Sequence, residues 1–338
     1  MSSARAQANL AVTSQVFNLP SVFNVGATGH SQGIVTAVAV AASSDWPSFL
    51  TQSQIALTTL FRIGLRSQIA FPVTTLPPSI LADALSNNEG NPSPMLSIRD
   101  LPVNTVNKYV EKTNSHLPDD RKIAICLVNG PRGVVVVGPP GSLHGLNLSL
   151  RKLKAPQGLE QGRVPHSERK LRFTNRFLPI SCPFHSKYLQ PVAGTICEDL
   201  TALSISPDQL AFPVYATDTG KNLQDLPAGT NIVPLLVEMI THLPVHWEQA
   251  TTFSGATHIL DFGPGGISGL GNLTHRNKDG TGVRIIIVGA LEGGGGIGGQ
   301  GEVFERGEGG VRYNVDWVKQ YRPRLVKVII SLIVLIID

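Results

Sequence analysis

The chain is poor in cysteine, in charge and in long apolar runs. Three cysteines among 338 residues (Cys126, Cys182 and Cys197) leave an odd thiol and form no metal-ligand spacing. That excludes a disulfide scaffold or zinc finger and favours a reduced, intracellular setting. Charged residues make up 15% of the chain and the net charge is +4, with basic residues scattered along it. This argues against nucleic-acid binding and leaves room for a small anionic ligand. No stretch reaches the ~20 apolar residues of a membrane span. The most apolar, VIISLIVLIID at the C-terminus, reads as an exposed remnant or as a strand whose partners are missing. The N-terminal MSSARAQANLAVTSQVF lacks the apolar core of a secretory signal, although its arginine and lack of acids leave a transit peptide open. Glu292 to Gly301 is almost all glycine without a strand–loop–helix context, so it reads as a flexible linker.

What is present is a globular composition, 42% hydrophobic, and one pentapeptide that carries chemistry. Gly29-His30-Ser31-Gln32-Gly33 is Gly-x-Ser-x-Gly followed by the apolar, helix-forming run Ile34 to Ala42. The pattern fits a nucleophile elbow, a tight strand-to-helix turn that lifts a serine hydroxyl above a sheet. Glycines at 29 and 33 suit a turn in which backbone meets backbone. Gln32 opens the helix, so its N–H can serve an oxyanion hole.

Periodicity predicts helices over residues 31–42, 52–68, 103–117, 142–153, 188–203 and 232–243, and a further one beginning near Ile80. Strands are expected in MLSIRDLP, KIAICLVNG, GVVVVGPP, Arg172 to Ile180, LAFPVYAT, THILDFGPG and VRIIIVGA. Within 94–178 the order is β-α-β-β-α-β, that of a ferredoxin-like unit, with Ala155 to Lys170 as an exposed loop.

A serine needs a base, and nine histidines are available. His30 is aimed inward by the turn and suits packing. His116, His144 and His166 are expected on the surface of the inserted unit, and His242, His246, His258 and His275 at ends of regular elements. His185 differs, because it follows an apolar strand and a proline in LPISCPFHS, and catalytic side chains collect at strand ends in open α/β folds. A loop histidine satisfied by a hydrogen bond is the competing reading.

Four colinear segments, GATGHSQGIVTAVAVA, LFRIGLRSQIAFP, RFLPISCPFHSKYL and THILDFGPGGISGLGNLTHRNKDGTGVR, resemble the acetyltransferase (starter acyltransferase) domain of fungal fatty acid synthase beta subunits. The related aflatoxin-type synthases are equally similar. The resemblance implies an α/β, malonyl/acetyltransferase-like fold, with an α/β-hydrolase-like core and an inserted ferredoxin-like subdomain over about 94–178. It implies Ser31 as the acyl-accepting nucleophile and His185 as the base, its imidazole held by backbone carbonyls. Gln32 supplies an oxyanion N–H, and the loop at Gly263 and Gly265 approaches the histidine. Malonyl-transferring relatives place an arginine where this chain has Ile63, so an uncharged acetyl or short acyl group is implied; Arg62 is expected to point elsewhere.

The implied substrate is acetyl-CoA and the implied acceptor the phosphopantetheine of an acyl carrier protein, with no permanent cofactor or metal. The implied partners are the carrier protein and the alpha and beta subunits of a cytoplasmic parent synthase, with no nucleic acid or membrane. Residues 1–25 are expected to be unmatched, 26–290 to form the acyltransferase domain, and 291–338 to be a glycine-rich linker and aberrant tail. A family Gly-Gln-Gly segment, with its sheet strand and second oxyanion donor, is expected upstream, so the chain reads as truncated. A serine hydrolase or a non-catalytic fragment of a synthase are the alternatives.

Overall fold

Small and apolar residues at the start of the pattern dictate its first two elements. GATGH forms strand β1 (Gly26–His30), buried along its length, and GIVTAVAVA forms helix α1 (Gly33–Ala41), buried on nearly every side. A helix apolar all round belongs in a core. The computed structural model describes residues 25–288 apart from 157, 159, 160, 254 and 264–268. Beyond them it describes the backbone of 304–307, 310–313 and 328–333. Two compact units result: 1–65 with 193–240 and 245–336, and 66–192 with 241–244 and 337–338.

After α1 comes the long helix α2 (Trp46–Ala70), then α3 (Pro78–Ser86). The ferredoxin-like order follows as β2 (Met95–Arg99), α4 (Val103–Asn114), β3 (Ala124–Gly130), β4 (Gly133–Val137), α5 (Pro140–Arg151) and β5 (Thr174–Phe177). The chain returns through α6 (Gln190–Asp199), β6 (Val214–Tyr215), α7 (Ile232–Thr241), β7 (Val245–His246) and α8 (Trp247–Ala250). It closes with β8 (His258–Asp261), α9 (Leu270–Asn277), β9 (Arg284–Ile287), the hairpin β10 (Phe304–Gly307) and β11 (Gly310–Tyr313), and β12 (Val328–Ile333).

In the first unit the sheet order is β6-β1-β12-β8-β9, every neighbouring pair parallel. β12 is a departure from the sequence reading. The apolar tail expected outside the domain supplies a strand between β1 and β8. An interior parallel strand reads as a continuous apolar run, and such a run names no neighbours. The glycine-rich stretch read as a linker lies outside the described residues.

In the second unit four strands take the order β5-β2-β4-β3 and pair antiparallel. Leu96 and Ile98 of β2, Val134 and Val136 of β4, Val106 and Val110 of α4, and Leu143 and Leu146 of α5 share one core. Alternate strand residues and helix positions three to four apart reach it, as amphipathic elements require. Beside that core lies a buried polar knot. Glu89, 1% exposed, accepts from Arg151 Nε at 2.8 Å and Nη2 at 2.6 Å, and from Asn147 and Asn175 at 3.0 Å each. His144, expected on the surface, is instead buried and bonded to Asp83 at 2.8 Å.

The described residues of the connection from α5 to β5 are mostly exposed, as its polarity predicts. The connection is closed by Leu171 N–H on the Leu153 carbonyl and Ala155 N–H on the Leu171 carbonyl. Exposed Lys152, Arg163, Arg169, Lys170 and Arg172 lie along this connection.

Two stability predictions follow from these arrangements. Glu89→Ala leaves Arg151 with Asp83 as its remaining anion and takes the acceptor from two buried amides, and is expected to cost at least ~2 kcal/mol in urea unfolding. Deleting 328–338 leaves β1 and β8 with unpaired edges, and the expected outcome is aggregation on size-exclusion chromatography.

Candidate active site

The serine is placed by a backbone constraint. Ser31 follows the last residue of β1 and has φ +53°, a left-handed conformation that non-glycine residues adopt at a cost of order 1–3 kcal/mol. The chain then enters α1 at once, with Ile34 N–H on the Ser31 carbonyl and Val35 N–H on the Gln32 carbonyl, both at 3.2 Å. A Cβ at Gly29 would stand 2.0 Å from the Gly33 carbonyl carbon and 2.1 Å from its oxygen. Only a hydrogen fits there. Ser31 is half-buried at the top of this turn.

Gln32 occupies the N-cap position of α1, and no side chain caps the helix. Of the first amides, those of Ile34 and Val35 are taken by the Ser31 and Gln32 carbonyls, which leaves the N–H donors of Gln32 and Gly33 at the positive end of the helix. A negative charge developing beside Ser31 would meet those donors. His30, next to the nucleophile, is buried and lies edge-on to Trp247 at 5.2 Å between centroids. Trp247 Nε1 in turn donates to Thr274 Oγ1 at 2.9 Å. His30 is packed, as its position in the turn predicts.

Because β1, β12 and β8 run parallel, their C-terminal ends share one edge of the sheet. Thr28 and Asp261 both pair with Ser331, so they are level with one another. Ser31 and Gly263 then lie just past that level, two strand spacings apart, about 10 Å. The sheet thus brings the elbow and the start of the Gly263 loop to one edge. Gly265 lies outside the described residues. Ile63 is in the same unit on α2, 1% exposed. Its neighbour Arg62 faces Asp199 at 3.8 Å, away from the Ile63 direction as a step of about 100° along a helix requires.

His185 belongs to the second unit. It lies in the loop between β5 and α6, also left-handed, with φ +60°, and is 4% exposed. Its Nδ1 is 2.9 Å from the Leu243 carbonyl. A carbonyl can only accept, so Nδ1 carries the proton and Nε2 presents a lone pair. Ser186 fixes the same loop, its N–H on the Thr241 carbonyl at 3.0 Å and its hydroxyl on the Pro183 carbonyl at 2.5 Å. Upstream, Ser181 donates to Gln68 Oε1 at 2.5 Å, and Gln68 Nε2 donates to the Phe71 carbonyl at 3.0 Å. Leu243, Ser186 and Gln68 escaped sequence reasoning; a main-chain acceptor has no side-chain signature. Among the described residues no cluster of His, Cys, Asp or Glu could hold a metal, and no helix is long and apolar enough to cross a membrane.

A strand–elbow–helix serine on a parallel sheet, with a ferredoxin-like second unit, is the architecture of the malonyl/acetyltransferase-like α/β fold. The malonyl CoA-acyl carrier protein transacylase of Clostridium perfringens shares it, with a TM-score of 0.58 at 19% identity, over 84% of this chain and 73% of that one. Residues 8–170 match the family described as Starter unit:ACP transacylase in aflatoxin biosynthesis. The match begins at residue 8, so the segment before Gly26, expected to be unmatched, is part of the similarity. The chain is 53% identical over 324 residues to the fatty acid synthase subunit beta of Schizosaccharomyces pombe, covering 94% of this chain and 15% of that protein. It is 38% identical over 327 residues to the fatty acid synthase beta subunit aflB of Emericella nidulans, covering 95% and 15%. The chain is thus similar along nearly its whole length to fungal fatty acid synthase beta subunits, and it spans about 15% of the length of these relatives.

The elbow makes a sharp contrast between two glycines. Gly29→Ala is expected to destabilise by more than ~2 kcal/mol, because backbone on both sides must move. Gly64→Ala on α2, where a Cβ meets nothing within 4 Å, is expected to stabilise by about 0.5–1 kcal/mol. Urea unfolding of the two variants side by side checks both signs.

Proposed function

We propose that this chain is the acyl-transfer module of a type I fatty acid synthase beta subunit. It moves an acetyl or short acyl group from coenzyme A, through an ester on Ser31, to the phosphopantetheine thiol of an acyl carrier protein. The observation that carries the reading is the left-handed Ser31, held between Gly29 and Gly33 at the uncapped start of α1. It exposes a hydroxyl beside free amide donors, the arrangement that acyl transfer requires.

In the first step the Ser31 oxygen attacks the thioester carbon, and His185 Nε2 takes the hydroxyl proton. The Gln32 N–H stabilises the tetrahedral oxyanion. The C–S bond then breaks and His185 returns the proton to the leaving thiolate. In the second step the carrier's thiol gives its proton to His185 and attacks the seryl ester; the C–O bond to Ser31 then breaks and His185 returns the proton to the serine oxygen. Splitting the transfer into two ester exchanges lets one site serve two bulky carriers in turn.

Ile63 supports the acetyl preference. An apolar side chain where a guanidinium would stand leaves a malonyl carboxylate unpaired, and an unpaired buried charge is unfavourable by several kcal/mol. The thiols Cys126, Cys182 and Cys197, none in a disulfide, fit the cytoplasm as the compartment. The remaining synthase domains and the alpha subunit are the proposed neighbours in the multienzyme.

The test is to incubate the chain with labelled acetyl-CoA and map the label. Stable label on Ser31 that is discharged by holo-carrier protein is expected, and Ser31→Ala should abolish it. Rapid loss of the label to water would instead define a serine hydrolase, and no label a non-catalytic fragment. Ile63→Arg is expected to shift loading from acetyl-CoA toward malonyl-CoA by at least ~10-fold in relative kcat/KM.

A further inference from the structure

Among the described residues of the first unit, one buried carboxylate has no part in the mechanism above. Asp261 ends β8, is 1% exposed, and sits at the edge of the sheet that carries Ser31. Its Oδ1 accepts the Gly263 N–H at 2.9 Å, two residues ahead. Its Oδ2 makes no full hydrogen bond but lies over the backbone of Gly271 in the first turn of α9, whose N–H is near enough to act on it. A Cβ at Gly271 would be 2.8 Å from that oxygen and 2.5 Å from the Ile287 side chain. Glycine at 271 is what lets the start of α9 close over the carboxylate. No side chain caps α9, so the carboxylate faces first-turn amides and the positive end of the helix.

One carboxylate therefore touches both described ends of the connection from β8 to α9. We propose that Asp261 is a positioning residue for acyl transfer: by holding Gly263 and the start of α9 together, it sets the backbone that flanks the nucleophile's edge of the sheet. The proposal rests on the reading of Ser31 as the nucleophile. It does not make Asp261 a catalytic residue, since the carboxylate is buried beneath the edge and acts through the backbone it holds.

A tie of this kind is unfavourable for stability, which separates it from a merely structural one. Burial pushes the Asp261 carboxyl up to about 6, against a usual 3.8, while the Gly263 and Gly271 N–H groups pull it down. A carboxyl whose pKa rises on folding favours the fold most below the unfolded value and withdraws that support as pH rises through about 6. Charged side chains on the elements around it stand at their far ends. His258 begins β8, Arg284 lies opposite it on β9, and His275 and Arg276 end α9.

The experiment compares wild type with Asp261→Asn and Asp261→Glu, each measured for thermal unfolding against pH and for Ser31 loading from acetyl-CoA. Asp261→Asn is expected to melt at or above wild type at pH 8 and to lose the wild-type fall in stability through pH 6. It should nevertheless load Ser31 at least ~10-fold more slowly in kcat, with KM for acetyl-CoA within about twofold. Asp261→Glu keeps the charge but lengthens the arm, and is expected to be slow as well. A stable Asn variant that loads as fast as wild type, or a Glu variant that restores the rate where Asn does not, overturns the proposal while leaving Ser31 as nucleophile. If wild type never loads Ser31, the acyl-transfer reading fails first and this role for Asp261 falls with it, a result told apart by the wild-type control.

Discussion

The site depends on a contact that has no side chain in it: the Cα of Gly29 pressed against the carbonyl of Gly33. The geometry of the elbow follows from that closure. It turns the chain from β1 into α1 within two residues, and it forces Ser31 into a left-handed conformation. It also leaves the first amides of α1 facing the same side as the serine hydroxyl. The strain at Ser31 is held by surroundings that have little freedom to relax, since β1 is buried along its length and α1 on nearly all sides. Rigid packing below a helix N-terminus is what a preorganised oxyanion site needs.

A second residue in the left-handed region is the proposed base. His185, at φ +60°, is held by the Leu243 carbonyl at 2.9 Å rather than by a carboxylate. That choice has a chemical consequence. A carbonyl fixes the tautomer and the ring plane as a carboxylate would, yet it offers less charge to stabilise an imidazolium. A dyad of this kind suits exchange between thioester and ester, where the leaving thiolate needs little help, better than amide cleavage. Of the four non-glycine residues with positive φ among the described residues, Asn88 and Asp100 are types that adopt it readily, and the other two are the proposed nucleophile and the proposed base.

Much of this was legible in the sequence, for identifiable reasons. Gly-x-Ser-x-Gly states a backbone geometry directly, because Cβ atoms at its flanks are forbidden, so the elbow could be read without neighbours. The ferredoxin-like order over 94–178 was legible because its strands and helices each carry a clean periodicity. Long-range facts were not. VIISLI reads as a strand wherever it is placed, and nothing in it says that β1 and β8 are its partners. His144 looked like a surface residue because its partner Asp83 is 61 positions away in sequence. The Leu243 carbonyl that holds His185 is invisible to residue-type reasoning altogether. Ile63 was identified by resemblance alone, and its burial agrees equally with an ordinary core position.

The central claim is that Ser31 is a nucleophile made reactive by His185. Its most direct measurement is the rate at which a fluorophosphonate, a probe of activated serines, modifies the chain, with the modified residue located by mass spectrometry. The account predicts a single modified serine, Ser31, and a rate that falls by at least ~100-fold in His185→Ala. Modification of another serine, or of Ser31 at the same rate without His185, would contradict it.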